Sequence, residues 1–509
     1  MAILTSGCSK QQSLPLPSER PFTAPHVSTA TAEIVVKIPP RPKPLVRANF
    51  VSPATRSMTY SIDGSPPLTV ALTLANRECK NQSGSIVCTV LFKAPLGTHY
   101  FAFSTYDANK VALSVNDLVI EKIQSGVTNV IGVTLGGLVS SFSVVPLAGQ
   151  PNVAGSQVAG YTMYGDVPAS FSVVPLDADG YSMIGAGAPR AVVSPPPAPV
   201  ALSTPSGTST TWKFTSSYAA TDPSIGLQDS ISVSATPVPN SGGTKVKASF
   251  ALTLYQPWVF AVNAGNSTVS AYDESGGTKA AFSVLSAGNG IAYVPGNKLL
   301  YIVSGTGVEA YDSTGISHAA QTFSASTHWG IAYDAHTGYL YVPYISAGGA
   351  AAVYDLYGNA IATPYSFGGT DNPQGIAFNA ASNEIYIADN ANDAVYQYLE
   401  NGSGGASASC GSSSLGPVGI AYDSHNQRLY VAGNLAHTVI ACSSSGRVAT
   451  SGTFPGLTEP TGIAFDPYTN RLYVTDGNAI KVYDENGNAV SLSGSFSGLN
   501  DAQGIVVAP

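Results

Sequence analysis

The stretch Pro460–Asp484, PTGIAFDPYTNRLYVTDGNAIKVYD, decides how the C-terminal half of the chain folds. It reads as three short apolar strands: Gly462-Ile463-Ala464-Phe465-Asp466, Leu472-Tyr473-Val474-Thr475-Asp476 and Ile480-Lys481-Val482-Tyr483-Asp484. Between them, Pro467, Asn470, Gly477 and Asn478 supply the fixed or left-handed backbone that tight connections need. The Gly-Ile-Ala-aromatic strand recurs at Gly290, Gly330, Gly375, Gly419 and Gly462, with a variant at Gly504, at intervals of 40, 45, 44, 43 and 42 residues. A spacing of about 40–45 residues is the period of a four-stranded propeller blade.

Aligning the copies column by column places an aromatic in the second strand at Phe260, Tyr301, Tyr341, Tyr386, Tyr430 and Tyr473. The third strand carries Tyr272, Tyr311, Tyr354, Tyr398 and Tyr483, and weaker fourth strands carry Phe323, Phe367, Phe454 and Phe496. Radially packed sheets bury both faces against their neighbours, so these columns are first of all structural. Cys442 stands in the third-strand column and Cys410 in the fourth-strand column of the preceding blade. The joint replacement of two aromatics predicts a Cys410–Cys442 bridge across blades, with two small buried thiols as the alternative.

The pattern G-I-A-x-D…L-Y-V-x-D…N-x-I-x-V-Y-D resembles the NHL repeat, over Pro257–Pro509. The resemblance implies a six-bladed β-propeller in which the loop before the first strand and the loop between second and third strands open on one face around a channel. By position that mouth holds Asn289, Trp329, Gln374, Val418, Thr461 and Gln503, each just before a first strand. From the second set of loops come Asn263, Asn266, Asp389, Asn390, Asn392, Asn434, His437, Asp476 and Asn478, and His328 lies beside Trp329. Trp is a rigid amphipathic anchor, and amides with a few carboxylates suit a polar ligand such as a protein, peptide or glycan.

The ends of the repeat array are complementary. Trp258–Val262 is a second-type strand with no first strand before it, and Gly504–Ala508 is a first-type strand with nothing after it. Pairing them removes an exposed edge, so the C-terminal strand is expected to close the propeller. Ala248–Tyr255 is the rival inner strand, but it lacks the Gly-Ile-Ala pattern and better completes the unit before it.

Upstream, residues 32–137 alternate with period two in seven candidate strands, as in an immunoglobulin-like β-sandwich. Cys79 and Cys88 flank one short hairpin and are expected to be joined, two reduced buried thiols being the alternative. Residues 138–256 read as a second sandwich, with Ser141–Leu147 echoed in Ser170–Leu176. The echo continues as Asp177-Ala178-Asp179-Gly180, better read as a turn than as the start of a calcium loop, because the later ligands of an EF-hand are missing. The whole chain is thus expected to be all-β.

Residues 1–31 form a stub and tether. Thr5-Ser6-Gly7-Cys8 resembles a bacterial lipobox, which implies lipidation at Cys8 and a place outside the cell or in its envelope. Thr5 departs from the family's leucine, and only Ala2-Ile3-Leu4 remain of an apolar core that normally needs about 7–15 residues.

Charged residues are 10% of the chain, against about 25% in an ordinary soluble protein. With a net charge of −8 the chain does not offer the basic patch that nucleic acid requires. The run Val130–Val145 is broken by glycines and hydroxyls and reads as two strands, leaving a lipid anchor as the route to a membrane.

Catalytic signatures are sparse. There is no H-E-x-x-H, G-x-S-x-G or phosphate-binding glycine loop. Zinc lyases of this fold gather several imidazoles, whereas here only His328 and His437 fall on the mouth side; His318, His336 and His425 fall in or beside other turns. Calcium at the mouth would draw on Asp389 and Asp476. The leading expectation is therefore a binding protein on two sandwich modules without a built-in cofactor. A metal-dependent lyase or lactonase and a purely architectural envelope protein are the alternatives.

Overall fold

The computed structural model describes residues 28–40, 51–184, 187–194, 198–206, 209–236, 244–325, 329–345, 350–361, 367–408, 410, 414–443, 446–448, 450 and 452–508. Cys8 and His328 lie outside them. The chain is all-β: among the described residues the one helical element is the 3-10 turn Ala319–Gln321, and no helix is long and apolar enough to cross a membrane. It divides into two compact units, Met1–Ser141 with Pro175–Arg190 and Thr236–Lys245, and Phe142–Val174 with Ala191–Ala235 and Val246–Pro509.

In the first unit two sheets share one core. Cys79–Gln82, Ser85–Pro95, Thr29–Ile38 and Asn129–Val130 form one; Leu68–Ala71, Ser57–Ile62, Gly97–Tyr106, Ala112–Ile123 and Gly136–Gly137 form the other. Strict alternation along Thr29–Ile38 turns Ile34, Val36 and Ile38 inward, where they join a core with Val90, Met58, Phe101 and Phe103. Cys79 and Cys88 sit directly opposite in the antiparallel register and are disulfide-bonded.

The second unit begins with two further sheets. Their core is aromatic: Phe171 meets Tyr161 and Phe214 edge to face at 5.2 and 4.9 Å. Val246–Tyr255 pairs with Leu227–Ala235 and, in parallel, with Gly160–Tyr164, so it completes these sheets and is not an inner strand of the repeats. The expected boundary at 256/257 falls inside this unit. Tyr164 stacks on Tyr468 with centroids 3.9 Å apart, Asp166 pairs with Arg471 at 3.2 Å, and Asp222 accepts a hydrogen bond from Ser313.

The described residues of 258–508 fold into six antiparallel sheets of propeller type. Their first strands are Ala502–Ala508, Gly288–Val294, Ala332–Asp334, Pro373–Asn379, Pro417–Asp423 and Pro460–Asp466. Ala502–Ala508 pairs with Trp258–Asn263, Trp258 facing Ala508 and Ala261 facing Ile505, with a bulge before Asn263 faces Ala502. The two ends of the repeat array therefore share one sheet.

The aromatic columns lie at the junctions between sheets. Phe496–Tyr272, Phe282–Tyr311, Phe323–Tyr354, Phe367–Tyr398 and Phe454–Tyr483 are ring pairs 4.8 to 5.5 Å apart, each joining a fourth segment to the third strand of the next sheet. Cys410 and Cys442 occupy the equivalent junction, Cys442 Sγ lying 4.0 Å from the Cys410 carbonyl oxygen. The expected bridge between them is not formed. Both thiols are buried in a cluster with Leu415, Ile420 and Leu429, where two small apolar groups fill the gap without a bond.

Candidate functional site

The glycine of each Gly-Ile-Ala strand marks a point where two sheets come too close for a side chain. A Cβ on Gly290 would lie 2.6 Å from the Trp329 carbonyl oxygen, and on Gly330, 2.3 Å from that of Gln374. The same holds for Gly375 against Val418 (2.4 Å), Gly419 against Thr461 (2.2 Å), Gly462 against Gln503 (2.2 Å) and Gly504 against Asn289 (2.5 Å). Each first strand thus abuts the next, and the last abuts the first. Only glycine permits this approach.

The six isoleucines that follow, Ile291, Ile331, Ile376, Ile420, Ile463 and Ile505, are buried to nearly the same degree and line a cavity of about 440 Å³. Above them the cavity is lined by Asn289, Trp329, Gln374, Val418, Thr461 and Gln503, the six positions picked out from the sequence. Asn390, Asn434 and Leu435 complete it from the second set of loops. Leu435 was not anticipated; an apolar residue at a loop tip beside the amides was the available signal. Trp329 is 43% and Leu435 62% exposed, so both stand at the opening.

The remaining candidates are not in the cavity. Asn263 is fully buried; its amide donates to Thr268 Oγ1 and Ser270 Oγ, and its Oδ1 accepts the Asn500 N–H. Asp389 accepts the N–H groups of Asp371 (2.9 Å), Asn372 (3.0 Å) and Ala391 (3.2 Å) and the Asn392 amide (2.8 Å). Asp476 accepts the N–H groups of Thr458 (2.8 Å) and Glu459 (2.6 Å), and Asn478 Oδ1 that of Asp501 (2.8 Å). These side chains staple one loop to another, which consumes the acceptor capacity a ligand would need. They position the mouth and do not line it. His437 is engaged likewise, by the Thr458 carbonyl.

Among the described residues, this donor set offers zinc none of its usual ligands. The described cavity residues offer amides, one hydroxyl and backbone oxygens, with no carboxylate or imidazole. Zinc is held by imidazole, thiolate or carboxylate, none of which is present there, and calcium by carboxylates together with amide and backbone oxygens, of which only the latter kinds are present. One trio elsewhere, Asp334, His336 and Glu400, brings ligand-type atoms together. There Asp334 is buried and already accepts from His336 N (2.7 Å) and Thr337 Oγ1 (2.6 Å), while His336 Nδ1 lies 3.0 Å from Glu400 Oε2. Asn426 meets Glu485 Oε2 in the same relation two sheets on (2.7 Å), so the contact is a link between sheets.

Residues 343–478 match the family model of the SMP-30/gluconolactonase/LRE-like region, a propeller-type family. No curated protein matches the chain. Among solved structures, the chain is similar to one in the crystal structure of a nidogen/laminin complex, at 18% identity over 50% of this chain and 98% of that one, with a TM-score of 0.40. It is also similar to a functionally unknown protein from Desulfotomaculum acetoxidans DSM 771, at 10% identity over 46% and 78% of the two chains, with a TM-score of 0.35.

Proposed function

We propose that the protein is a binding protein whose six repeat sheets form a closed six-bladed propeller, and that its mouth cavity takes part of a polar ligand. The observation that carries this reading is the cavity itself: amides from several sheets converge over an apolar floor, beside one exposed Trp. Concave sites with an apolar base and a few convergent polar groups are where ligands bind. The two upstream pairs of sheets are read as immunoglobulin-like modules of an exported chain, lipid-anchored through Cys8. The Cys79–Cys88 bond supports export, since such bonds persist in oxidising compartments.

A metal-dependent lactonase is the second reading, favoured by the family match over residues 343–478. Metal analysis of the purified protein, alongside a lactone-hydrolysis assay, separates the two. The binding reading predicts no stoichiometric zinc or calcium and no turnover. Bound metal that is lost together with lactonase activity in a Gln374→Ala, Asn434→Ala variant would replace it.

A further inference from the structure

The charge of this chain is divided unevenly. Residues 257–509 carry six Lys and Arg against 18 Asp and Glu, a net of −12, while residues 1–256 carry 16 against 12, a net of +4. Within the propeller the six cations also avoid one side. Lys279, Lys298, Arg428, Arg447, Arg471 and Lys481 lie in strands or in the connections between first and second strands. The described residues of the connections that reach the mouth side are 264–267, 284–287, 305–306, 324–325, 329, 345, 367–372, 390–393, 410, 414–416, 434–437, 455–459, 477–478 and 497–501. They contain no Lys or Arg.

The same connections place exposed carboxylates at Asp371, Glu459 and Asp501. Asp393 adds a half-buried one, held below the usual carboxylate range by the N–H groups of Gly416 and Ser414. The same connections also carry exposed apolar side chains: Trp329, Leu435 and Leu285. Inside, the cavity offers amide groups, and the Trp329, Gln374, Val418, Thr461, Gln503 and Asn289 carbonyl oxygens lie at the first strands around it.

Resting on the reading of the mouth as a binding site, we infer that its occupant is a cationic protein segment, with a Lys or Arg head in the cavity and apolar side chains on the rim. An ammonium or guanidinium is a donor-only group that matches amide and carbonyl acceptors. The acidic rim attracts such a segment from a distance and repels anionic ones. A bare divalent cation fits less well, because the carboxylates stand on the rim and not in the cavity, and an ion would leave the apolar side chains without a partner.

The test uses the full chain and three labelled peptides of equal length, each with one Trp: one rich in Lys and Arg, one in Asp and Glu, one in Ser and Gln. The cationic peptide alone should bind saturably, about tenfold more weakly as salt rises from about 50 to about 300 mM. The variant D371N/E459Q/D501N should lose about tenfold in affinity and most of the salt dependence. Gln374→Ala with Trp329→Ala should abolish saturable binding, with thermal melts confirming that both variants fold. Binding of the neutral or anionic peptide that is lost with Gln374→Ala would overturn the charge inference and leave the mouth reading standing. Cationic binding indifferent to both variants, or no saturable binding by any peptide, would overturn the inference as well.

Discussion

Tyr430 Oη donates a hydrogen bond of 2.6 Å to the backbone carbonyl of Glu485, which lies in the next sheet along the chain. The relation repeats: Tyr301 reaches the Leu356 carbonyl (3.2 Å), Tyr341 that of Glu400 (3.2 Å) and Tyr473 that of Glu274 (3.0 Å). These four second-strand tyrosines are thereby pinned to the turn that follows the third strand of the neighbouring sheet, and the Tyr473 pin runs from the sixth sheet to the first. Tyr386 differs, its hydroxyl donating to Glu384 Oε2 (2.8 Å). Phe260 has no hydroxyl for this; the turn it would reach carries Ser313, which bonds Asp222 instead.

These pins should be measurable one at a time. Tyr430→Phe keeps the ring and removes the donor, at a cost of about 1 kcal/mol. Urea denaturation of the variant should show the loss without a change in slope, and an unchanged midpoint would mean that the pin adds nothing.

Glu274 is 2% exposed, and its Oε2 has no hydrogen-bond partner. Burial, with Asp166 and Asp466 adding repulsion, pushes its carboxyl well above the usual range despite Arg471. A folded-state value above the unfolded one means that the folded form holds the proton more tightly. The resulting stability is present below the unfolded value near 4.5 and is lost as pH rises through the folded one. Glu274→Gln should therefore raise the melting temperature at pH 7.5 by a few degrees, with the gain vanishing near pH 4. A gain independent of pH would show that charge is not the cause.

Cys410 and Cys442 fill a junction that holds a Phe–Tyr pair at five other places. Peptide mapping after maleimide labelling should find both unmodified in the native protein and both modified after denaturation without reductant. Protection that persists in the denatured protein would show a bond between them.

The pairing of Ala502–Ala508 with Trp258–Asn263 predicts that deletion of residues 504–509 lowers the melting temperature of the second unit and spares the first. Coincident melting of full and truncated chains would mean that this strand contributes no stability.

The repeats were legible because two physical signals coincide in them: period-two burial, and glycines where neighbouring strands touch. Asn289, Trp329, Gln374, Val418, Thr461 and Gln503 could be read from position alone, since each precedes such a glycine. Asn263, Asp389 and Asp476 could not be distinguished from ligands, because a loop staple and a ligand use the same residue types and differ only in whether neighbouring N–H groups reach them. Phe282 was missed in the fourth-strand column, where short irregular segments blur the spacing. The Cys410–Cys442 substitution was correctly located but not correctly bonded, because a shared slot for two sulfurs does not require that they join.

The central claim is that the mouth cavity binds. A combined glycan and peptide array probed with the full chain, and repeated with the Trp329→Ala, Gln374→Ala variant, tests it most directly. The account predicts a small set of related binders, each weakened at least about tenfold by the variant while its melting curve stays unchanged. Binders retained in full by the variant would place the binding surface elsewhere and contradict it.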